Sequence, residues 1–143
     1  MLVGQILAAK GSKVISTRPD ATIADVARLL RRERIGAVVV MEGGALCGII
    51  SERDLARGLA DHGAELLEMK VGQLMTREVV TCAPEDHLDH LMQSMTTGRF
   101  RHLPVLRDGE MIGIISIGDV VKHRVDELEA ETHQLHDYIA GGA

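Results

Sequence analysis

Apolar positions along this chain alternate between two periods. Ile23, Val26, Ala27 and Leu30 fall at i, i+3, i+4 and i+7, which is one apolar face of an amphipathic helix. Thr22 precedes that face with Asp25 three residues on, the spacing of a capping box. Before it, Val14-Ile15-Ser16-Thr17 reads as a short strand ended by Pro19. After it, Ala37–Met41 is a strand, Glu42-Gly43-Gly44 a tight turn and Ala45–Ile50 the returning strand of a hairpin. Ser51 then opens a second helix through about His62.

The whole order returns 65 residues later. Residues 14–57 align with 79–122 without a gap, and ten of the 44 positions are identical. Val14 pairs with Val79, Pro19 with Pro84, Arg34 with Arg99, Val40 with Val105 and Gly44 with Gly109. Gly48-Ile49-Ile50-Ser51 matches Gly113-Ile114-Ile115-Ser116, and Asp54 matches Asp119. In the second copy Leu88, Leu91, Met92 and Met95 form the helix face, and Arg107-Asp108-Gly109 the turn. A further echo, Val3–Leu7 against Val71–Met75, has an offset of 68, so three extra residues around Lys10–Lys13 separate the copies. Each unit is therefore β-α-β-β-α after a short helical turn. The predicted fold class is α/β (α+β): two units, each a three-stranded sheet with two helices on one face, packed around a pseudo-two-fold axis. Residues 1–63 and 64–123 are the units, and 124–143 an acidic helical tail. The axis creates two equivalent clefts between the units, the expected binding sites.

Composition narrows the function. The chain has 143 residues, 45% of them hydrophobic, with Phe100 and Tyr138 as its aromatics. The core must be aliphatic, and base-stacking platforms and aromatic ammonium cages are excluded. The net charge of −5 offers no basic footprint for nucleic acid. Residues 124–143 carry five acids and one arginine, so four of those five negative charges lie in the tail. Arg28, Arg31, Arg32 and Arg34 span two turns of the first predicted helix and read as a solvated face. Cys47 and Cys82 have no metal-ligand spacing and read as reduced thiols. The first residues lack the pattern of a secretory signal, and no apolar run approaches a membrane span, so the expected location is cytoplasmic.

Gly-x-x-Ser-x-x-Asp, present as Gly48…Ser51…Asp54 and Gly113…Ser116…Asp119, is the sharpest local feature. Ser as N-cap with Asp at N3 is a capping box, with Gly closing the strand. The same junction exposes backbone N–H groups that suit phosphate, and its carboxylate suits a cis-diol. The two readings are compatible.

These motifs, with Arg101-His102-Leu103-Pro104-Val105 in the second copy, resemble a tandem pair of cystathionine-β-synthase-type (CBS) domains, the Bateman module, over about residues 1–123. The tail is similar to that of short stand-alone bacterial members. The resemblance implies regulatory binding of an adenosine-containing ligand (AMP, ADP, ATP, S-adenosylmethionine or NAD(H)), assembly as a homodimer, and signalling to an unidentified protein target. It also implies the residues. One cleft takes Ser116 and Asp119 for ribose and phosphate, with Ser12, Lys13, Val14, Ser16, Gly36 and Ala37 around the base. The other takes Ser51 and Asp54 with Val79, Val80, Thr81, Arg101, His102, Leu103 and Pro104. Small Gly36 and Ala37 leave room for a ring where the second unit has Arg101 and His102, so the clefts are expected to differ. Arg101, His102, Arg53 or Lys13 could reach a phosphate.

Other patterns carry less. His87/His90 and His133/His136 are i, i+3 pairs without an evident third metal ligand. HExxH, a Walker loop and G-x-S-x-G are missing from the sequence, and no enzyme, metal or nucleic-acid partner is expected. Tyr138 is expected to anchor the tail against a dimer. The alternative function is a ligand-independent scaffold with vestigial clefts.

Overall fold

The computed structural model describes residues 1–11, 13–98 and 100–141. Its elements run α1 (Val3–Lys10), β1 (Ser16–Thr17), α2 (Ile23–Glu33), β2 (Ala37–Glu42), β3 (Ala45–Ser51) and α3 (Glu52–His62), then a 3-10 turn (Gly63–Glu68). They continue with α4 (Val71–Leu74), α5 (Leu88–Gly98), β4 (His102–Arg107), β5 (Glu110–Ser116) and α6 (Ile117–Gly141). Thr22 starts α2 by accepting the Asp25 N–H at 3.2 Å, and Ile23, Val26 and Leu30 bury the face anticipated from their spacing. The helix stops at Glu33. Arg34 is its C-cap in the left-handed region (φ 56°) rather than part of a helical arginine face.

Both hairpins turn on two residues of positive φ, Gly43-Gly44 (59° and 81°) and Asp108-Gly109 (52° and 79°), whose twist matches that of the strands. The registers are equivalent. Val40 faces Gly48 and Val105 faces Gly113, and each ladder is then shifted by a bulge. Gly48 and Gly113 therefore lie inside their strands, which run on to Ser51 and Ser116; they do not close them.

The first sheet has the expected three strands, ordered β1-β2-β3, with β1 parallel to β2. The second has two. Its third strand shrinks to one parallel bridge, in which Cys82 N–H donates to Pro104 O and Cys82 O accepts from Leu106 N–H, both at 2.9 Å. Pro104 explains the loss. The counterpart of the Ser16–Val39 pair would be Thr81–Pro104, and proline has no N–H to donate to the neighbouring strand.

Two aliphatic cores form, and they exchange their leading helices. Val3, Ile6 and Leu7 of α1 pack with Cys82, Leu88, Leu91, Met95, Leu103, Val105, Ile115 and Val120 of the second repeat. Leu66, Val71 and Met75, which lead into the second repeat, pack with Ile23, Val26, Leu30, Val38, Val40 and Ile50 of the first. Burying a Val or Leu contributes about 1.5–3 kcal/mol, so each exchanged segment is worth several kcal/mol to the core it joins. The docking is matched on both sides. Gly4 N–H donates to Pro84 O at 3.0 Å, and Gly72 N–H donates to Pro19 O at 2.9 Å.

The repeated glycines complete this exchange. A Cβ on Gly48 would stand 2.6 Å from Met75 Sδ, and one on Gly113 would stand 2.6 Å from Leu7 Cδ2. A side chain at either place would force the visiting residue to shift. Among the described residues, no helix is long and apolar enough to cross a membrane.

Candidate functional site

Each strand-to-helix junction is built by its own Ser-x-x-Asp. In the first, Ser51 N–H and Oγ donate to Asp54 Oδ2 at 2.8 and 3.1 Å, and Asp54 N–H donates back to Ser51 Oγ at 3.4 Å. In the second, Ser116 N–H and Oγ donate to Asp119 Oδ2 at 2.9 and 3.0 Å, and Asp119 N–H returns to Ser116 Oγ at 3.2 Å. The boxes spend Oδ2 of each carboxylate. Among the described residues, no hydrogen bond falls on either Oδ1, which keeps acceptor capacity for a hydroxyl.

The helix starts offer less to phosphate than their position suggests. Glu52 N–H is taken by Gly36 O at 2.9 Å and Ile117 N–H by Arg101 O at 2.8 Å. The third N–H in each case is taken by the Ser hydroxyl. The capping carboxylate also satisfies the helix dipole with negative charge. A phosphate at this place would have to be met by side chains.

One such side chain escaped the sequence reading. Lys10, at the end of α1, donates from Nζ to Asp119 Oδ2 at 2.5 Å and to Ile114 O at 2.8 Å. In the first repeat the matching carbonyl, Ile49 O, is met by a backbone group, Thr76 N–H at 2.9 Å. The difference arises where the repeat offset changes from 65 to 68. Burial raises the Asp119 pKa, but hydrogen bonds from Lys10 and from Ser116 outweigh it and hold the carboxyl below its ordinary value.

His102 completes the cluster. The register sets it opposite Ser116, as Ala37 is set opposite Ser51, so each strand entrance lies beside the motif of its own repeat. Its imidazole reaches the other repeat. A Cβ on Gly36 would stand 3.5 Å from His102 Cε1, 3.6 Å from Nε2 and 3.8 Å from Glu52 Oε2. The space over Gly36, expected to admit a ligand ring, thus borders the His102 ring. Burial and the Lys10 charge lower the His102 pKa, with Arg101 acting the same way and Asp119 and Glu52 opposing. His102 stands with Asp119 and Lys10, whereas the sequence placed it with Asp54.

The remaining candidates are distributed around this cluster. Ser16 pairs with Val39 at the entrance of β1, Val14 is half-buried and Lys13 exposed; Ser12 lies outside the described residues. Ala37, Leu103 and Pro104 are buried in their strands. Arg53 and Arg101 are exposed. Val79, exposed Val80 and Thr81 lie between Thr76, which bridges to Ile49 of the first sheet, and Cys82, which bridges to Val105 of the second. That segment joins the two sheets. A cavity of about 590 Å³ opens on the first repeat, lined by Leu30, Arg31, Arg34, Gly36, Glu52 and Leu55. It meets the His102 cluster through Gly36 and Glu52, so two arginines read as solvated border a concave surface.

The cysteines are free, and burial together with the Asp86 charge pushes the Cys82 thiol up to about 12, which leaves it protonated and unreactive. Among the described residues no three His, Cys, Asp or Glu side chains converge as metal ligands, and His133 instead meets Asp137 at 3.3 Å.

Known proteins share this fold. The mitochondrial CBS domain-containing protein CBSX3 of Arabidopsis thaliana is 42% identical over 128 residues, covering 86% of this chain and 62% of that relative. This chain thus spans less than two thirds of the relative's length. The crystal structure of the CBS-domain containing protein ATU1752 from Agrobacterium tumefaciens superposes with a TM-score of 0.85 at 46% identity, over 87% of this chain and 99% of that one. The CBS domain pair of protein MJ0100, solved in complex with 5-methylthioadenosine and S-adenosyl-L-methionine, gives a TM-score of 0.79 at 25% identity, over 89% and 98%. The domain model of the family matches residues 3–61 and again 71–126, one match to each repeat, and the chain belongs to the CBS domain family.

Proposed function

We propose that this chain is a regulatory module that binds an adenosine-containing ligand between its two CBS repeats, and acts as a homodimer on a partner protein. One observation carries the reading. Two carboxylates, Asp54 and Asp119, are each fixed by a serine through Oδ2, with Oδ1 free of internal hydrogen bonds among the described residues. A fixed carboxylate with an open oxygen is suited to accept hydroxyl hydrogen bonds from a ribose. The ligand complexes of the MJ0100 pair support the ligand class. AMP, ADP, ATP and NAD(H) extend the same chemistry, with Lys10, Lys13, Arg53, Arg101 and His102 as candidates for phosphate. The module does no chemistry of its own in this reading; occupancy matters only through unequal affinity for two arrangements of the pair.

A thermal-shift panel of AMP, ADP, ATP, NAD, NADH, S-adenosylmethionine and methylthioadenosine tests it. Selective stabilisation by one or two of them is expected, since a ligand held by the folded state alone raises the melting temperature by mass action. No shift with any of them at millimolar concentration would replace this reading with a ligand-independent scaffold.

A further inference from the structure

α6 runs unbroken from Ile117 to Gly141, well past its last packing partners. Val120 is buried in the second core, and Arg124 is tied to Glu127 at 3.1 Å and Asp89 at 3.9 Å. Every residue from Leu128 to Gly141 is exposed. Isolated helices shorter than about 12–15 residues are marginal in water, so this half of α6 needs a covering surface.

Its sequence specifies one. Val121, Val125, Leu128, Thr132, Leu135 and Ile139 follow spacings of four, three, four, three and four. This is a heptad seam with Val125, Thr132 and Ile139 at a and Val121, Leu128 and Leu135 at d. Leu135 and Ile139 are 61% and 64% exposed, and Val125, Leu128 and Thr132 line a shallow groove of about 490 Å³. β-branched residues at a with mainly leucine at d favour two parallel strands. The flanking charges agree. In a parallel pair Arg124 meets the partner's Glu129, and Glu131 meets the partner's His136. A full antiparallel overlap would instead set Glu129 and Glu131 against their own copies.

We propose that the C-terminal half of α6 pairs with the same segment of a second copy as a parallel two-stranded coiled coil, with Thr132 facing Thr132 as its polar register mark. The inference rests on the homodimer in the proposed function and gives that dimer a contact outside the repeats.

Cysteine cross-linking of the full chain tests it. Leu135→Cys puts a thiol at a d position, where two parallel copies meet. Ala130→Cys puts one on the outer face of the same turn region. Under mild oxidation Leu135→Cys is expected to give a covalent dimer at least about tenfold faster than Ala130→Cys, because adjacency raises the effective thiol concentration. The unsubstituted chain, with Cys47 and Cys82, sets the background. Equal rates at the two positions, or no dimer from Leu135→Cys above that background, would overturn the proposal. The thermal-shift panel run on the same variants reads ligand binding separately, so a failure of the seam is not confused with a failure of the ligand site.

Discussion

Asp119 caps α6 through Oδ2, and in the proposed function its Oδ1 also meets the ligand. Asp119→Ala removes both, with different magnitudes. Ser116 still caps the helix, so the stability cost is about 1 kcal/mol. Loss of one or two hydrogen bonds to a charged group, at about 1.5–3 kcal/mol each, is expected to weaken the ligand found by the thermal panel about tenfold to a hundredfold in calorimetry. Unchanged titration would remove Asp119 from the site. His102 makes a separate prediction about pH. The unfolded chain protonates this imidazole as pH falls through about 6.5, while burial and the Lys10 charge lower its pKa in the folded chain, which takes up the proton only at lower pH. The unfolded state then holds more protons, and stability drops on acidification. His102→Asn, neutral throughout, is expected to flatten that drop in urea melts compared between about pH 7 and pH 5.5. A variant that loses stability with the same slope as the parent would show that the imidazole titrates freely.

At the scale of elements, the glycine of each motif is where a helix of the other repeat lies down. The two positions are not equal. A Cβ on Gly48 meets Met75 Sδ and also the backbone Thr76 O at 3.0 Å, whereas a Cβ on Gly113 meets only the flexible end of Leu7. Gly48→Ala is therefore expected to cost more than Gly113→Ala in denaturant unfolding, within the roughly 1–3 kcal/mol typical of overpacking. Equal or reversed costs would mean that the backbone at Thr76 yields as easily as a leucine side chain. This role could not be read from the sequence, because Gly48 and Met75 are distant in the chain and nothing local links them. What was legible is local. The helix faces of α2 and α5, both hairpin turns and the two capping boxes each follow from spacings of a few residues. The missing third strand of the second sheet was hidden in Pro104, whose absent N–H matters only once its neighbour is known. Lys10 was hidden in the same way, although the change of offset beside it marked the place where the two repeats diverge.

For the whole molecule, the duplication predicts two like halves, and the structure makes them alike in plan but unlike in charge. The Asp119 side holds Lys10 against its carboxylate and against Ile114 O, and the equivalent carbonyl on the Asp54 side, Ile49 O, is met by backbone instead. If both junctions bind ligand as proposed, this asymmetry is expected to give them different affinities. The exchange of leading helices has a consequence of another kind, for how the chain comes to be folded. As it emerges from a ribosome, the first repeat cannot close until residues 66–75 have followed it out. α1 must wait longer, until β5 has formed, so its apolar face stays uncovered until then. Each core is completed by a segment from outside its own repeat, so residues 1–63 made alone are expected to show no cooperative unfolding transition. The same topology suggests how a half-length ancestor could have folded: two copies of one repeat, each lending its leading helix to the other, need only a linker to become this chain.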